Sequence, residues 1–142
     1  MNQHALHVKH AWLMKSEPVA YSWAQFLKDK KSAWTGVRNF QARNNMQAMK
    51  LGDLAFFYHS NKGREIVGIM KVSKLYHPDP TDGTGKFGMV EVTAVETLKK
   101  PVTLEMIKAH PQLKNMALLK QSRLSVSPVT AEEWEIIHRM GT

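Results

Sequence analysis

The sequence predicts an α+β fold: a small, partly closed barrel of mainly antiparallel strands with short helices at its periphery. Apolar runs with strand character alternate along the chain with short segments that carry helix start signals. The 142 residues contain no internal repeat, low-complexity tract or long linker, so they suit one domain with a single core.

Five segments have the residue pattern of β-strands. They span residues 11–14, 53–60, 66–75, 87–95 and 123–126. The turn signal Asn61-Lys62-Gly63 separates the second segment from the third and predicts a β-hairpin. A loop that contains Pro78 and Gly85 precedes the fourth segment, so a longer connection is expected there.

Four segments carry helix start signals. Ser22 is expected to begin a helix that runs to about residue 30, and Asn39 a second helix that ends near Gly52. Thr103 is expected to cap a short helix before residue 111, and Thr130 a final helix to about residue 140. Residues 1–10 are polar and predict a disordered tail, which leaves residues 11–142 as one domain.

The composition describes a basic, cysteine-free chain. Its formal net charge is +8 with a pI near 9.8, which favours polyanionic partners. The absence of cysteine excludes disulfides, thiolate catalysis and cysteine-ligated zinc, and it predicts a cytoplasmic location. No apolar run approaches the roughly 18 residues of a membrane span, so no membrane partner is expected.

Residues 34–44, called the signature segment below, are the most informative part of the chain. Two guanidiniums, three side-chain amides and two aromatic rings lie within these eleven residues. Arginine and amide side chains recognise flat polar edges, and aromatic rings cover flat faces, so the composition favours a nucleobase as ligand. The surrounding residues 15–50 carry seven cations against two carboxylates, which also suits a nucleic acid.

Four motifs in order resemble the EVE domain family. They are residues 12–18 (WLMKSEP), the signature segment (WTGVRNFQARN), residues 52–60 (GDLAFFYHS) and residues 122–129 (SRLSVSPV). The resemblance implies a PUA-like fold, a small bent β-barrel with flanking helices, related to the YTH and ASCH domains. It also implies recognition of a modified base in DNA or RNA, with cytosine derivatives the usual suggestion, and no cofactor or catalytic activity.

The family motifs suggest the residues of a pocket for one base. The predicted pocket residues are Ser16, Glu17, Trp34, Val37, Arg38, Asn39, Tyr58, His59, Ser60 and Phe87. Trp34 is expected to stack on the base, with Tyr58 or Phe87 as a second wall. Arg38 and Asn39 are expected to read its edge, although Arg38 could instead pair with a carboxylate, that of Glu17 or Asp53.

A second set of residues is predicted to contact the nucleic-acid backbone. These residues are Lys15, Arg43, Lys50, Asn61 and Arg123. One feature departs from the family pattern: the loop from residue 77 to residue 86 is short, and Phe87 stands where the family commonly has tryptophan. The aromatic wall that this loop contributes is therefore expected to differ.

Enzyme signals in the chain are weak. His59 and Ser60 are adjacent on a strand and point to opposite faces. The segment 83–86 (GTGK) lacks the other residues of a P-loop, and His4, His7 and His10 have metal-like spacing only in the polar tail. No catalytic residue, metal or cofactor is therefore assigned. Two alternatives stay open: an enzyme that acts on a modified nucleotide or RNA through Glu17 or His59, and a small-molecule or protein-interaction module.

Overall fold

The computed structural model describes residues 10–142. The predicted disordered tail lies almost wholly outside the described residues, as do His4 and His7. Residues 10–142 contain six strands: Ala11–Ser16 (β1), Lys31–Ala33 (β2), Leu54–His59 (β3), Glu65–Pro78 (β4), Gly88–Thr103 (β5) and Val126–Val129 (β6). The helices are Trp23–Asp29 (α1), Phe40–Ala48 (α2), Leu104–Ala109 (α3), Ala117–Lys120 (α4) and Ala131–Met140 (α5), with a 3-10 turn at Pro111–Leu113.

The strands form one mixed sheet in the order β2-β5-β4-β3-β1-β6. All neighbours are antiparallel except β1 and β3, which run parallel. The predicted α+β class is confirmed. Within residues 10–142 the edge strands β2 and β6 do not pair with each other, so the sheet is open rather than a closed barrel.

The helices begin where local capping chemistry predicts. Ser22, Asn39, Thr103 and Thr130 each accept a hydrogen bond from a backbone N–H in the first turn of the following helix. These bonds satisfy donors that a helix leaves unpaired at its start. Helix α2 ends at Ala48 rather than near Gly52, because the chain turns away before the glycine is reached.

Several strand boundaries differ from the predictions. The last strand begins at Val126, where it pairs with β1, and not at residue 123. Strand β5 continues to Thr103 because its second half pairs with β4. The three-residue strand β2 and helix α4 were not predicted, since neither carries a distinctive sequence pattern.

The alternation of side chains along β3 divides the core between the two faces of the sheet. Phe56 and Tyr58 belong to one buried cluster, where Phe56 stacks on Trp134 with ring centroids 3.8 Å apart. Phe57 belongs to the other cluster, together with Trp34. None of the helices in residues 10–142 has the length and apolar character needed to cross a bilayer.

Candidate nucleic-acid interface

The carboxyl ends of the parallel strands β1 and β3 lie side by side and carry four of the predicted site residues. Lys15 is in register with Tyr58, and Ser16 with His59. The Lys15 ammonium lies 5.9 Å from the centroid of the Tyr58 ring, on the face that holds the Trp134 cluster. Ser16 and His59, one residue further along each strand, bond to the chain at the start of α1. The strand ends therefore present one set of groups to each face.

Trp34 lies on the face opposite Tyr58. Its ring packs edge-on against Phe57, with centroids 5.6 Å apart and an interplanar angle of 86°. The indole is only 7% exposed, and neighbouring Val37 is 6% exposed. Trp34 and Tyr58 therefore do not line the same pocket, because the sheet lies between them. Whether Trp34 stacks on a base stays a prediction.

Arg38 is held by Asp79, a residue for which the sequence assigned no role. Arg38 Nη1 lies 3.3 Å from Asp79 Oδ2, and Arg38 Nη2 donates to the Thr81 hydroxyl at 3.0 Å. The same carboxylate accepts from the backbone N–H groups of Gly36 at 2.9 Å and Thr81 at 2.7 Å. The ion-pair partner is thus Asp79 and not Glu17 or Asp53. The signature segment is tied to the loop that follows β4.

Asp79 remains ionised in this network. Burial alone would raise the pKa of its carboxyl group, but the hydrogen bonds from Thr81, Gly36 and Arg38 outweigh burial and lower the pKa to about 2. The carboxylate itself is fully buried, whereas the Arg38 side chain is 39% exposed. The guanidinium consequently has a fixed position and an open side from which it can donate to a ligand.

The residues at the strand ends are partly engaged in structural hydrogen bonds. The Ser16 hydroxyl donates to the Tyr21 carbonyl at 2.6 Å. His59 Nε2 accepts from the Trp23 backbone N–H at 3.1 Å, and burial lowers the pKa of the His59 ring, so the imidazole is neutral. Glu17 is exposed beyond the end of β1. Its carboxylate forms no ion pair within residues 10–142 and faces solvent.

A cavity of about 610 Å³ opens on the Tyr58 face. Its lining contains four cations and no carboxylate: Lys15, Arg64, Lys108 and Lys114. Tyr58, Ser60 and Asn61 also line it. Burial lowers the pKa of the Lys15 ammonium, which donates to the Ser122 carbonyl at 2.7 Å. This cavity therefore offers concentrated positive charge beside one aromatic ring.

Two smaller cavities share lining residues with the first. One of about 300 Å³ shares Ser122 with it and adds Asn39, Gln41 and Arg123. The other, of about 370 Å³, shares Arg64 and Lys108 and adds Glu105. Because they share lining residues, the three cavities are together called the basic groove, which has five cations and one carboxylate in its lining.

The structure thus sorts the predicted site residues into two groups. The basic groove contains six of them: Lys15, Asn39, Tyr58, Ser60, Asn61 and Arg123. Ser16, Trp34, Val37 and His59 lie on the other face, and Arg38 contacts Phe87 beside the loop that follows β4. Arg43 lies on α2 near Phe87, bonded to the Lys86 carbonyl, while Lys50 follows the far end of α2 and lines none of the cavities described here.

Four residues of the candidate site were not found from the sequence: Arg64, Asp79, Lys108 and Lys114. The three cations come from separate segments that only the fold brings together. Asp79 did leave a local signal. The motif Asp79-Pro80-Thr81 is typical of a turn in which an aspartate accepts from residues that follow it, as the Thr81 contacts show.

A family model described as EVE domain matches residues 10–140. The chain belongs to the EVE domain family. Human thymocyte nuclear protein 1 is 38% identical over 160 aligned residues, which cover 89% of this chain and 71% of the human protein. A Rhodopseudomonas palustris protein solved by NMR is 54% identical, with a TM-score of 0.88 over 93% of this chain and 92% of that chain.

Two further solved structures that are similar to this chain in fold contain nucleic acid. The human THYN1 protein in complex with DNA that contains 5-methylcytosine is 36% identical, with a TM-score of 0.89 over 94% of this chain and 98% of that chain. The YTH domain of Zygosaccharomyces rouxii MRB1, in complex with N6-methyladenosine RNA, has a TM-score of 0.61 at 14% identity, over 96% of this chain and 88% of that chain. This second likeness confirms the expected relationship in fold.

Proposed function

We propose that this EVE domain binds nucleic acid and holds one modified, cytosine-type base of DNA or RNA. The observation that carries the proposal is the basic groove, in which four cations and no carboxylate line the central cavity. Phosphate groups along a nucleic acid match such a lining, because each contact with lysine or arginine releases condensed counterions. The groove thereby supplies affinity that does not depend on sequence.

Selectivity for the base is proposed to come from the opposite face of the strand ends. Trp34, Ser16 and the fixed guanidinium of Arg38 supply an aromatic ring, a hydroxyl and a planar donor there. Asn39, which lines one end of the basic groove, uses its Oδ1 to cap α2, so its amide NH₂ group is left to donate to a base edge from that side. The human THYN1 complex with 5-methylcytosine DNA supports this assignment through the family relationship.

The buried state of Trp34 sets a condition on this pocket. An indole that is 7% exposed offers an edge, so stacking on its face requires neighbouring groups to move when the base enters. Extruding a base from a duplex costs a few kcal/mol, and stacking returns roughly 1–3 kcal/mol per base. A single-stranded or mismatched site is therefore expected to bind more tightly than a paired one.

The proposal is tested by fluorescence anisotropy with matched oligonucleotides. Each sequence is prepared with cytosine or 5-methylcytosine, as DNA and as RNA, and as single and double strands. The expected result is an affinity that falls steeply with salt, plus a preference for the modified base that persists as salt rises. If none of the oligonucleotides binds, or if modification never changes affinity, the proposed function is wrong.

Matched variants separate the two faces. Trp34→Phe is compared with Trp12→Phe, since both indoles are 7% exposed and only Trp34 belongs to the signature segment. Trp34→Phe is expected to lose the preference for the modified base, and Trp12→Phe to keep it. Lys108→Ala is expected to weaken the binding of all oligonucleotides alike. Its control is Lys99→Ala, since Lys99 is exposed and lines none of the described cavities.

The cytoplasmic location predicted from the sequence stays a proposal. It rests on the lack of cysteine, and the vertebrate relatives carry the name thymocyte nuclear protein 1. Microscopy of a tagged full-length chain would decide it.

A further inference from the structure

Four side chains form a partly exposed row beside the first turn of α2. The rings of Phe40 and Phe87 lie 4.9 Å apart at an angle of 33°. The Arg43 guanidinium lies 4.8 Å from the centroid of the Phe40 ring, and the Arg38 guanidinium lies 5.9 Å from that of Phe87. This row, called the Arg–Phe ladder, has a guanidinium at each end and two aromatic rings between them.

Phe40 stands out because 53% of it is exposed. A large aromatic ring on a polar surface is costly to leave in water unless a partner covers it, and aromatic rings are common where proteins stack on bases. The nearby indole of Trp34 is buried, so Phe40 is the open aromatic surface of the signature segment.

The ladder is held in place by hydrogen bonds. Arg43 donates to Asn44 Oδ1 at 2.9 Å and to the Lys86 carbonyl at 3.3 Å. Asp82 accepts from the Phe87 backbone N–H at 2.8 Å, which fixes the chain that carries the second ring. A ligand that stacks here would meet groups that are already ordered, which lowers the entropic cost of binding.

The charges around the ladder select an anionic partner. Two of its four members, Arg38 and Arg43, are cations, and Lys86 precedes Phe87 in the chain. The two carboxylates that face it are already used, Asp79 by Gly36, Thr81 and Arg38, and Asp82 by Thr84 and Phe87. A flat ring system joined to a phosphate matches aromatic faces flanked by guanidiniums.

The ladder also continues the basic groove. Asn39 and Gln41, which precede and follow Phe40, line the 300 Å³ cavity at one end of the groove. We propose that the Arg–Phe ladder stacks an unpaired nucleobase that flanks the recognised base. This inference rests on the proposed function, because it supplies the neighbouring nucleotide of the same ligand.

The inference is tested with Phe40 variants and single-stranded oligonucleotides that contain one 5-methylcytosine. In the longer set, three nucleotides flank the 5-methylcytosine on each side. The shorter set has no flanking nucleotides and consists of the 5-methylcytosine mononucleotide as DNA and as RNA. Phe40→Leu is expected to weaken binding of the longer set about fivefold or more, and Phe40→Trp to keep or improve it, because stacking needs an aromatic face. Binding of the shorter set should be unchanged by either substitution.

Leu51→Ala is the matched control, since Leu51 is 62% exposed and follows the other end of α2. Thermal unfolding of each variant checks the fold. A 5-iodouracil beside the modified base should crosslink to a peptide that contains Phe40 or Phe87, a result that does not depend on any variant.

The outcomes distinguish the two proposals. If Phe40→Leu binds the longer set as the natural chain does and the crosslink maps elsewhere, while Lys108→Ala still weakens binding, the ladder is structural and the proposed function stands. If the natural chain binds neither set, the proposed function and the ladder are overturned together.

Discussion

The buried carboxylate of Asp79 is predicted to contribute most of the hydrogen bonding that holds the signature segment against the loop after β4. The replacement Asp79→Asn keeps the size of the side chain but turns one acceptor oxygen into an NH₂ donor. That donor would face groups that themselves donate, namely Gly36 at 2.9 Å or Thr81 at 2.7 Å in the natural chain. The substitution therefore removes bonds and also leaves a buried donor unpaired.

The magnitude can be worked out in two ways, from the hydrogen bonds themselves and from the lowered pKa that they cause. Hydrogen bonds to a charged group contribute about 1.5–3 kcal/mol each, and part of the Arg38 contribution is lost to solvent because that side chain is 39% exposed. The difference between a pKa of about 2 and the ordinary 3.8 corresponds to about 2 kcal/mol of stability. We expect Asp79→Asn to lower the free energy of unfolding by about 2–4 kcal/mol at pH 7.

The pH dependence gives a sharper check. Because folding lowers the pKa of Asp79, its contribution is complete above about pH 4 and is lost as pH falls toward 2. Urea denaturation at pH 7, 5, 3 and 2 should show the deficit of the variant shrinking between pH 4 and 2. Asp29→Asn, an exposed carboxylate on α1, is the control. Equal stability at pH 7, or a deficit as large at pH 2 as at pH 7, would refute the reasoning.

Two further substitutions test other contacts. Gly68→Ala should destabilise the fold by about 1–3 kcal/mol in urea denaturation, because the new Cβ would lie within 2.5 Å of Trp23 indole carbons; Gly83→Ala, with open space, should be neutral. Burial lowers the pKa of the His59 ring in the folded protein, so folding favours the neutral ring. The stability that the neutral ring contributes should be complete above about pH 6.5 and should decrease as pH falls below that value. His59→Gln should flatten that pH dependence, and an unchanged profile would exclude this role.

The locally encoded parts of the fold could be predicted from the sequence. Ser22, Asn39, Thr103 and Thr130 identified four helix starts, because each cap depends on a few neighbouring residues. The parallel pairing of β1 with β3 and the short strand β2 could not be predicted, because both depend on partners distant in the chain. The exact start of β6 failed for the same reason.

The candidate site divides along the same line. The signature segment was recognised because its chemistry is contiguous in the sequence. The partner of Arg38 was missed because Asp79 lies 41 residues away in the sequence. The cations of the central cavity were missed as a group because they come from β1, from the turn between β3 and β4, and from α3 with the turn after it. Tyr58 was placed with Trp34 because both are aromatic, whereas alternation along β3 sends Tyr58 to the other face.

The most direct test of the proposed base pocket at Trp34 uses the four indole N–H resonances in ¹⁵N-correlated NMR spectra. Trp12 and Trp23 donate to Asp53 and Thr97, and Trp134 is packed under Phe56, so these three signals should stay in place on titration with a 5-methylcytosine oligonucleotide. The Trp34 signal, assigned with Trp34→Phe, should shift strongly, and less with the cytosine oligonucleotide. A Trp34 signal that does not move while the oligonucleotide binds would contradict the claim that this face holds the modified base.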